Sequence, residues 1–548
     1  MPAPSRARTG AARSGAAVGA AGAAAAAGAA SAGAAARPEG PSAEASGART
    51  GAAGITAELT ASLTALRRSL DLPEAFPPDV EQEAERAARD VSTDPATAGL
   101  ADLRDLDFVT IDPAGATDLD QALHLEVTGE GAGRTAVLHY AIADVPAFVA
   151  PGGALDAETR RRGQTMYAPD GRIPLHPSVL SDDAASLLPG VDRRAFVWRF
   201  ELDAGARPVT TTLVRAVVRA REQWAYDEAQ RAIDAGTAPA TLLAMPWFGA
   251  ARAERERERG GASLNVPETS IEPDGSGGFR LERSYGVPLE DWNAHVSLLT
   301  GMAAAEIMLR GRVGIVRTMP PADADDIADF HAQTVALGLP WREAVAYGDY
   351  LRGLDRSPAA RAVREYAAGL FRGAAYVAFD GEVPEHTDQA AIGAPYAHAT
   401  APLRRLVDRW VLVVCEALAN GREVPEWARA SLPDLPALMA RSGQKASQLD
   451  AGAIDRVEAA LLTPHVGEVF SGVVVSARSG VARVQLDDPP VDAKVPGLDA
   501  PPGSTVQVRV AAASIADGTV DLRPCLLYTS DAADEEDSLH MGASTRID

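Results

Sequence analysis

Three aspartates crowd the boundary between two apolar runs, and that crowding limits the possible folds more than any other feature of the chain. Asp112, Asp118 and Asp120 fall within nine residues of Thr110-Ile-Asp-Pro-Ala-Gly-Ala-Thr-Asp-Leu-Asp-Gln-Ala122. The preceding run, Asp107-Phe-Val-Thr-Ile-Asp112, is short, apolar and closed by the turn signal Asp112-Pro-Ala-Gly115, so it reads as a strand. Residues Asp118 to Glu126 then alternate, and Thr135 to Asp144 reads as a further strand. If Asp118 begins its strand, Asp118 and Asp120 share one face, because strand side chains alternate. The Pro-Ala-Gly turn can return Asp112 to them. Like charges this close are unstable unless something positive sits among them. Hard divalent cations such as Mg2+ (or Mn2+) prefer such oxygen ligands. The competing reading is a solvated acidic loop with Asx turns.

The rest of the chain reads as α+β, with a sheet near the front and helices behind. Residues 1–54 are Ala/Gly-rich and expected to be disordered, since they offer almost nothing to bury. A helical region covers 55–105: Leu59, Leu63, Leu66 and Leu70 recur at helical spacing up to Pro73, and a charged helix runs from Pro78 to Arg89. The main domain is placed at 106–460, with helices over 222–235, 289–311, 323–337, 358–372 and 401–420. The alternating run Arg252 to Arg259 reads as a solvated helix. Short β-rich runs between 466 and 524 suggest a small OB-like barrel. Its one aromatic, Phe470, makes it a poor stacking surface. From Cys525 to 548 the sequence resembles a translated sequencing adapter and is set aside as non-native.

Composition narrows the chemistry. Two cysteines without a CxxC pair exclude a disulfide framework and a thiolate zinc site, and favour a cytoplasmic setting. His124, His139, His386 and His398 show no metal spacing. A net charge of −23 argues against a simple basic nucleic-acid binder, although part of the excess is terminal: six acids against Arg546 after Thr529. Residues 14–36 loosely imitate a secretory signal but lack Leu, Ile and Phe, and no stretch reads as a membrane span.

A second motif, Thr400-Ala-Pro-Leu-Arg-Arg405, places Pro402 at the expected first turn of a helix and Arg404 near its amino end, a favourable place for phosphate. Arg404, Arg405 and Arg409 could equally be surface or carboxylate-paired residues. Between the motifs come Ile142-Ala-Asp-Val145, Arg162-Gly-Gln-Thr-Met-Tyr-Ala-Pro169, Ile173-Pro-Leu-His-Pro177 and Leu180-Ser-Asp-Asp-Ala-Ala-Ser-Leu-Leu-Pro189, with Tyr396 to Arg409 near the end. This ordered set, from roughly 106 to 460, resembles the ribonuclease II / ribonuclease R (RNB) exoribonucleases.

The resemblance implies an RNB catalytic domain, a mixed sheet surrounded by helices, followed by the OB-like barrel. It implies a 3′-to-5′ exoribonuclease that releases 5′-nucleoside monophosphates from single-stranded RNA, with no stable protein partner expected. Two divalent ions, Mg2+ or Mn2+, would be held by Asp112, Asp118 and Asp120. Asp120 and Arg404 would carry the chemistry, and Tyr167, Arg404 and Arg405 would contact RNA, Tyr167 by stacking on the 3′-terminal base. Two departures stand out. Asp118-Leu-Asp-Gln121 ends in a neutral amide where most relatives have Asp, so an RNA-binding protein without turnover is the main alternative; a small-molecule phosphatase is a third. The helix from His295 to Ala304 lacks the acidic residue and Asn that usually contact RNA. Roughly fifty helical residues occupy the place of the family's amino-terminal cold-shock-like barrels, which implies weaker and less processive RNA binding.

Overall fold

The computed structural model describes residues 46–262, 268–274, 278–342, 344–478 and 480–525. The expected disordered segment up to 45 and the tail beyond Cys525 lie outside them. Within 46–54 the chain is already helical, in Ser46–Ser69, so the expected boundary shifts.

Eight strands build the front half: β1 (Ala101–Asp102), β2 (Phe108–Asp112), β3 (Gln121–Thr128), β4 (Thr135–Ala143), β5 (Met166–Ala168), β6 (Gly171–Ile173), β7 (Asp192–Leu202) and β8 (Pro208–Ala225). The main sheet runs β1-β8-β2-β3-β4-β7, and β7 pairs again with β8, so the sheet closes on itself. The 18-residue β8 makes closure possible. Its first part pairs antiparallel with β7, and its last part, Ala220 to Ala225, runs parallel to β2.

Alternation along these strands feeds two cores. Ile111, Leu125, Tyr140 and Trp198 face a helical layer containing Leu299, Trp410 and Val411. Phe108, Ala141 and Val197, on the same strands, face a second core with Leu119 and Leu403. Each large apolar side chain so buried contributes roughly 1.5–3 kcal/mol. The front half is therefore fixed mainly by period-two patterning.

Several expected boundaries move, among them the helix expected over 358–372, which ends at Ala368. Residues 222–225 are strand, not helix, because β2 pairs with them (Thr110 with Gln223, Asp112 with Ala225), and the helix begins at Tyr226. The strand expected from Asp118 begins at Gln121, and residues 118–120 lead into it, with Ala143 N–H donating to Asp120 O at 2.9 Å. The helix expected from 401 begins at Leu406. Residues 402–404 form a turn, with Arg404 and Arg405 N–H on Ala401 O, while Thr165 N–H to Arg404 O at 2.9 Å and Leu406 N–H to Gly163 O at 3.0 Å hold Arg405 extended. The run 252–259 is helical to Glu258 but not fully solvated. Arg252 and Glu256 are buried, with Arg252 donating to Ala206 O and Glu256 facing Arg352.

Behind the sheet, the Pro288–Gly311 helix passes the carboxyl ends of β2 and β8, and the Leu435–Leu462 helix leads to the barrel. Five strands between Val469 and Pro524 form the barrel, with its two edge strands close to each other. Leu59 and Leu63 of the first helix belong to its core, and Ser62 donates to Ile515 O at 2.8 Å. The amphipathic helix near the amino end is thus a buttress of the carboxy-terminal barrel.

Candidate active site

Asp112 ends β2 directly beside Ala225, the end of β8, so two parallel strands deliver their carboxyl ends to one place. The Pro113–Gly115 turn carries the chain around to Asp118, Leu119 and Asp120. Leu119 is completely buried, and its N–H bonds to Ser186 Oγ at 2.9 Å. That anchor leaves Asp118 and Asp120 on the side of the pocket. The pocket is lined by Asp112, Asp118, Asp120, Gln121, Tyr167 and Arg404, and opens to solvent. The expected acidic trio and the distant arginine therefore meet.

Their environments differ. Asp120 is buried. Loss of hydration pushes its carboxyl up to about 8, against the pull of Arg404 and the Leu403 amide. Leu403 N–H donates to Asp120 Oδ1 at 2.7 Å, and Arg404 Nε lies 3.7 Å from Oδ2. Burial also raises Asp112 well above the usual carboxylate range, reinforced by Asp120 and Asp118. Asp118 has its own cation: Arg172 Nη1 stands 2.8 Å from Oδ2, and Tyr167 Oη donates to the same oxygen at 3.4 Å. Tyr167 and Arg172 are cross-strand partners in the β5–β6 hairpin. Gln121 donates Nε2 to Thr400 O at 2.5 Å. That carbonyl can only accept, so the amide oxygen is the end of Gln121 left for the pocket.

The adjacent arginines have opposite fates. Arg405 is buried and does not line the pocket. It bonds to Asp408 at 2.8 and 2.9 Å and lies 3.4 Å from Thr400 Oγ1. Its assignment as an RNA contact is corrected: the guanidinium is committed to a buried carboxylate. Arg409 is likewise buried, on Asp156 at 2.5 Å. Of the three arginines, only Arg404 faces the site.

Sequence reasoning missed Arg172, Tyr226, Asn293 and Ser297, which also line the pocket. Asn293 Nδ2 donates to Tyr226 Oη at 2.9 Å, and Ser297 Oγ is 3.0 Å from Tyr140 Oη. The helix said to lack an Asn in its His295–Ala304 part supplies one two residues earlier. Each is a lone polar residue on an ordinary element, so no local pattern marks it.

The donor chemistry fits a hard cation: oxygen ligands converge on one pocket, Asp120 is buried, and Asp120 and Asp118 both help raise Asp112. Yet among the described residues no three His, Cys, Asp or Glu side chains are grouped as metal ligands. Asp118 is turned to Arg172 instead.

The family model described as "RNB domain" matches residues 100–420, and that of the "RNase II-type exonuclease C-terminal S1 domain" matches 468–525. Ribonuclease R of Escherichia coli is 26% identical over 455 residues, covering 78% of this chain and 55% of the relative. The chain thus spans about half the length of that curated relative. A Mycoplasma genitalium RNase R structure, in complex with ribose-methylated single-stranded RNA, superposes with a TM-score of 0.77 at 18% identity, covering 85% of this chain and 78% of the other. Yeast Ssd1, described as a pseudonuclease, superposes with a TM-score of 0.62 at 17% identity over 77% of this chain and 56% of its own.

Proposed function

The chain belongs to the RNB family, and on that premise we propose that it hydrolyses single-stranded RNA from the 3′ end, releasing 5′-nucleoside monophosphates in the cytoplasm. The observation that carries this reading is the meeting of Asp112, Asp118 and Asp120 with Arg404 in one pocket. RNB nucleases depend in general on divalent metal. Here Asp112 and Asp120, with the Gln121 oxygen, are the side chains to hold Mg2+ or Mn2+. Asp118 shares its Oδ2 with Arg172 and Tyr167, so Oδ1 is the oxygen it can offer, beside a fixed positive charge. When bound, such an ion supplies an activated water and neutralises charge on the phosphate.

The remaining work falls to the chain's own groups. Arg404 presents a guanidinium to the scissile phosphate, where forked N–H donors match the oxygens and offset charge building in the transition state. The Leu403 amide and the Arg405–Asp408 pair hold that loop, which makes Arg405 a positioning residue. Tyr167 offers its ring to the terminal base, a sequence-tolerant contact worth roughly 1–3 kcal/mol. Its hydroxyl steadies Asp118.

The test is release of mononucleotides from 3′-extended, labelled single-stranded RNA with Mg2+ or Mn2+. Loss of release in Asp120→Asn, with RNA binding retained, supports the enzyme. A second reading, RNA binding without turnover, is favoured by Gln121 and by the Arg172–Asp118 pair, both of which weaken a cation site. Wild-type protein that binds RNA but releases nothing at any metal concentration establishes that reading instead.

A further inference from the structure

We propose that this site takes one divalent ion rather than two, because Arg172 supplies the second positive charge permanently. The inference rests on the metal-dependent reading above and concerns how that site is occupied. Asp112, Asp118 and Asp120 line the pocket against Arg172 and Arg404, and Asp182 pairs with Arg172, so the group carries two net negative charges. A single divalent ion balances them. A second makes the balance +2 beside the buried Asp120, and unpaired buried charge is strongly disfavoured.

The geometry agrees with the charge count. Arg172 is four-fifths buried and held from both sides, by Asp118 at 2.8 Å and by a close ion pair with Asp182. The β5–β6 ladder fixes its backbone opposite Tyr167. It is therefore not a mobile surface residue that swings aside at little cost. Gln121 contributes in the same direction. Its neutral amide is tied to Thr400 O, so no carboxylate at that position compensates for the Arg172 charge beside Asp118. That leaves Asp112 and Asp120 as the pair for one ion, and Asp120 already raises the Asp112 carboxyl by its proximity.

Mn2+ titration of the full chain without RNA, with free ion counted by electron paramagnetic resonance, tests this directly. One ion per chain is expected for wild type and for Arg172→Lys, which keeps the charge, and two for Arg172→Gln. Two ions on the wild-type chain, or still only one on a folded Arg172→Gln, would overturn the inference while leaving the metal-dependent reading intact. No bound ion on any of the three proteins overturns both.

Discussion

The Leu403 amide donates to Asp120 Oδ1 at 2.7 Å, and this one contact joins the two halves of the site across 283 positions. It places the next side chain, Arg404, against the same carboxylate. It also supplies part of the stabilisation that lets Asp120 carry charge in a buried position, since hydrogen bonds to the charged form oppose the cost of lost hydration. Both effects come from backbone geometry, so the identity of residue 403 matters mainly through its burial.

Arg404→Ala is expected to lower kcat by about 10²–10³-fold, the usual scale for removing one group that offsets transition-state charge. The fold should persist, because the pairing with Asp120 is long at 3.7 Å. Single-turnover kinetics beside a thermal melt check this. A large fall in Tm with unchanged turnover would remove Arg404 from the chemistry.

Arg405→Ala should behave in the opposite way. It leaves Asp408, which is fully buried, without its cation, and breaking a buried pair costs about 3–5 kcal/mol. A drop in Tm is expected, whereas RNA affinity per folded molecule should change little. Weakened RNA binding at unchanged stability contradicts the buried role.

Tyr167→Ala should raise KM and shift the final product length, with a loss of roughly 1–3 kcal/mol in binding. Tyr167→Phe should keep stacking and lose only the 3.4 Å contact to Asp118. End-product analysis on denaturing gels separates them. Equal defects in both variants mean that the hydroxyl, not the ring, is the important part.

The pH response of Asp120 has a definite sign. Its folded-state pKa is raised from 3.8 to about 8 by burial, so between those values the native state holds a proton that the unfolded chain releases. This stabilising contribution is complete below about pH 4 and is lost as pH rises toward about 8. Metal-free protein should therefore melt earlier as pH rises, with a smaller slope in Asp120→Asn. Mn2+ at pH 8 should restore stability, since a bound cation replaces the proton. Identical slopes in both proteins refute the assignment of the raised pKa to Asp120.

Residue order alone settles what is local: the strand-like runs around Asp112, the turn after it, and the alternation that sends Ile111 and Phe108 to different cores. The recurrence of Leu59 and Leu63 marks a helix, yet only the fold reveals that they pack under the distant barrel. Arg404 and Arg405 are identical neighbours in sequence. A turn at 402–404 and tertiary pairing with residues 163–165 fix this stretch, turning one guanidinium to the pocket and the other to the buried carboxylate of Asp408. Arg172 and Asn293 carry no pattern at all, because a polar residue acquires a role at a site only from what faces it. Periodicity encodes burial; charge compensation depends on neighbours hundreds of positions away, and the folded chain alone selects them.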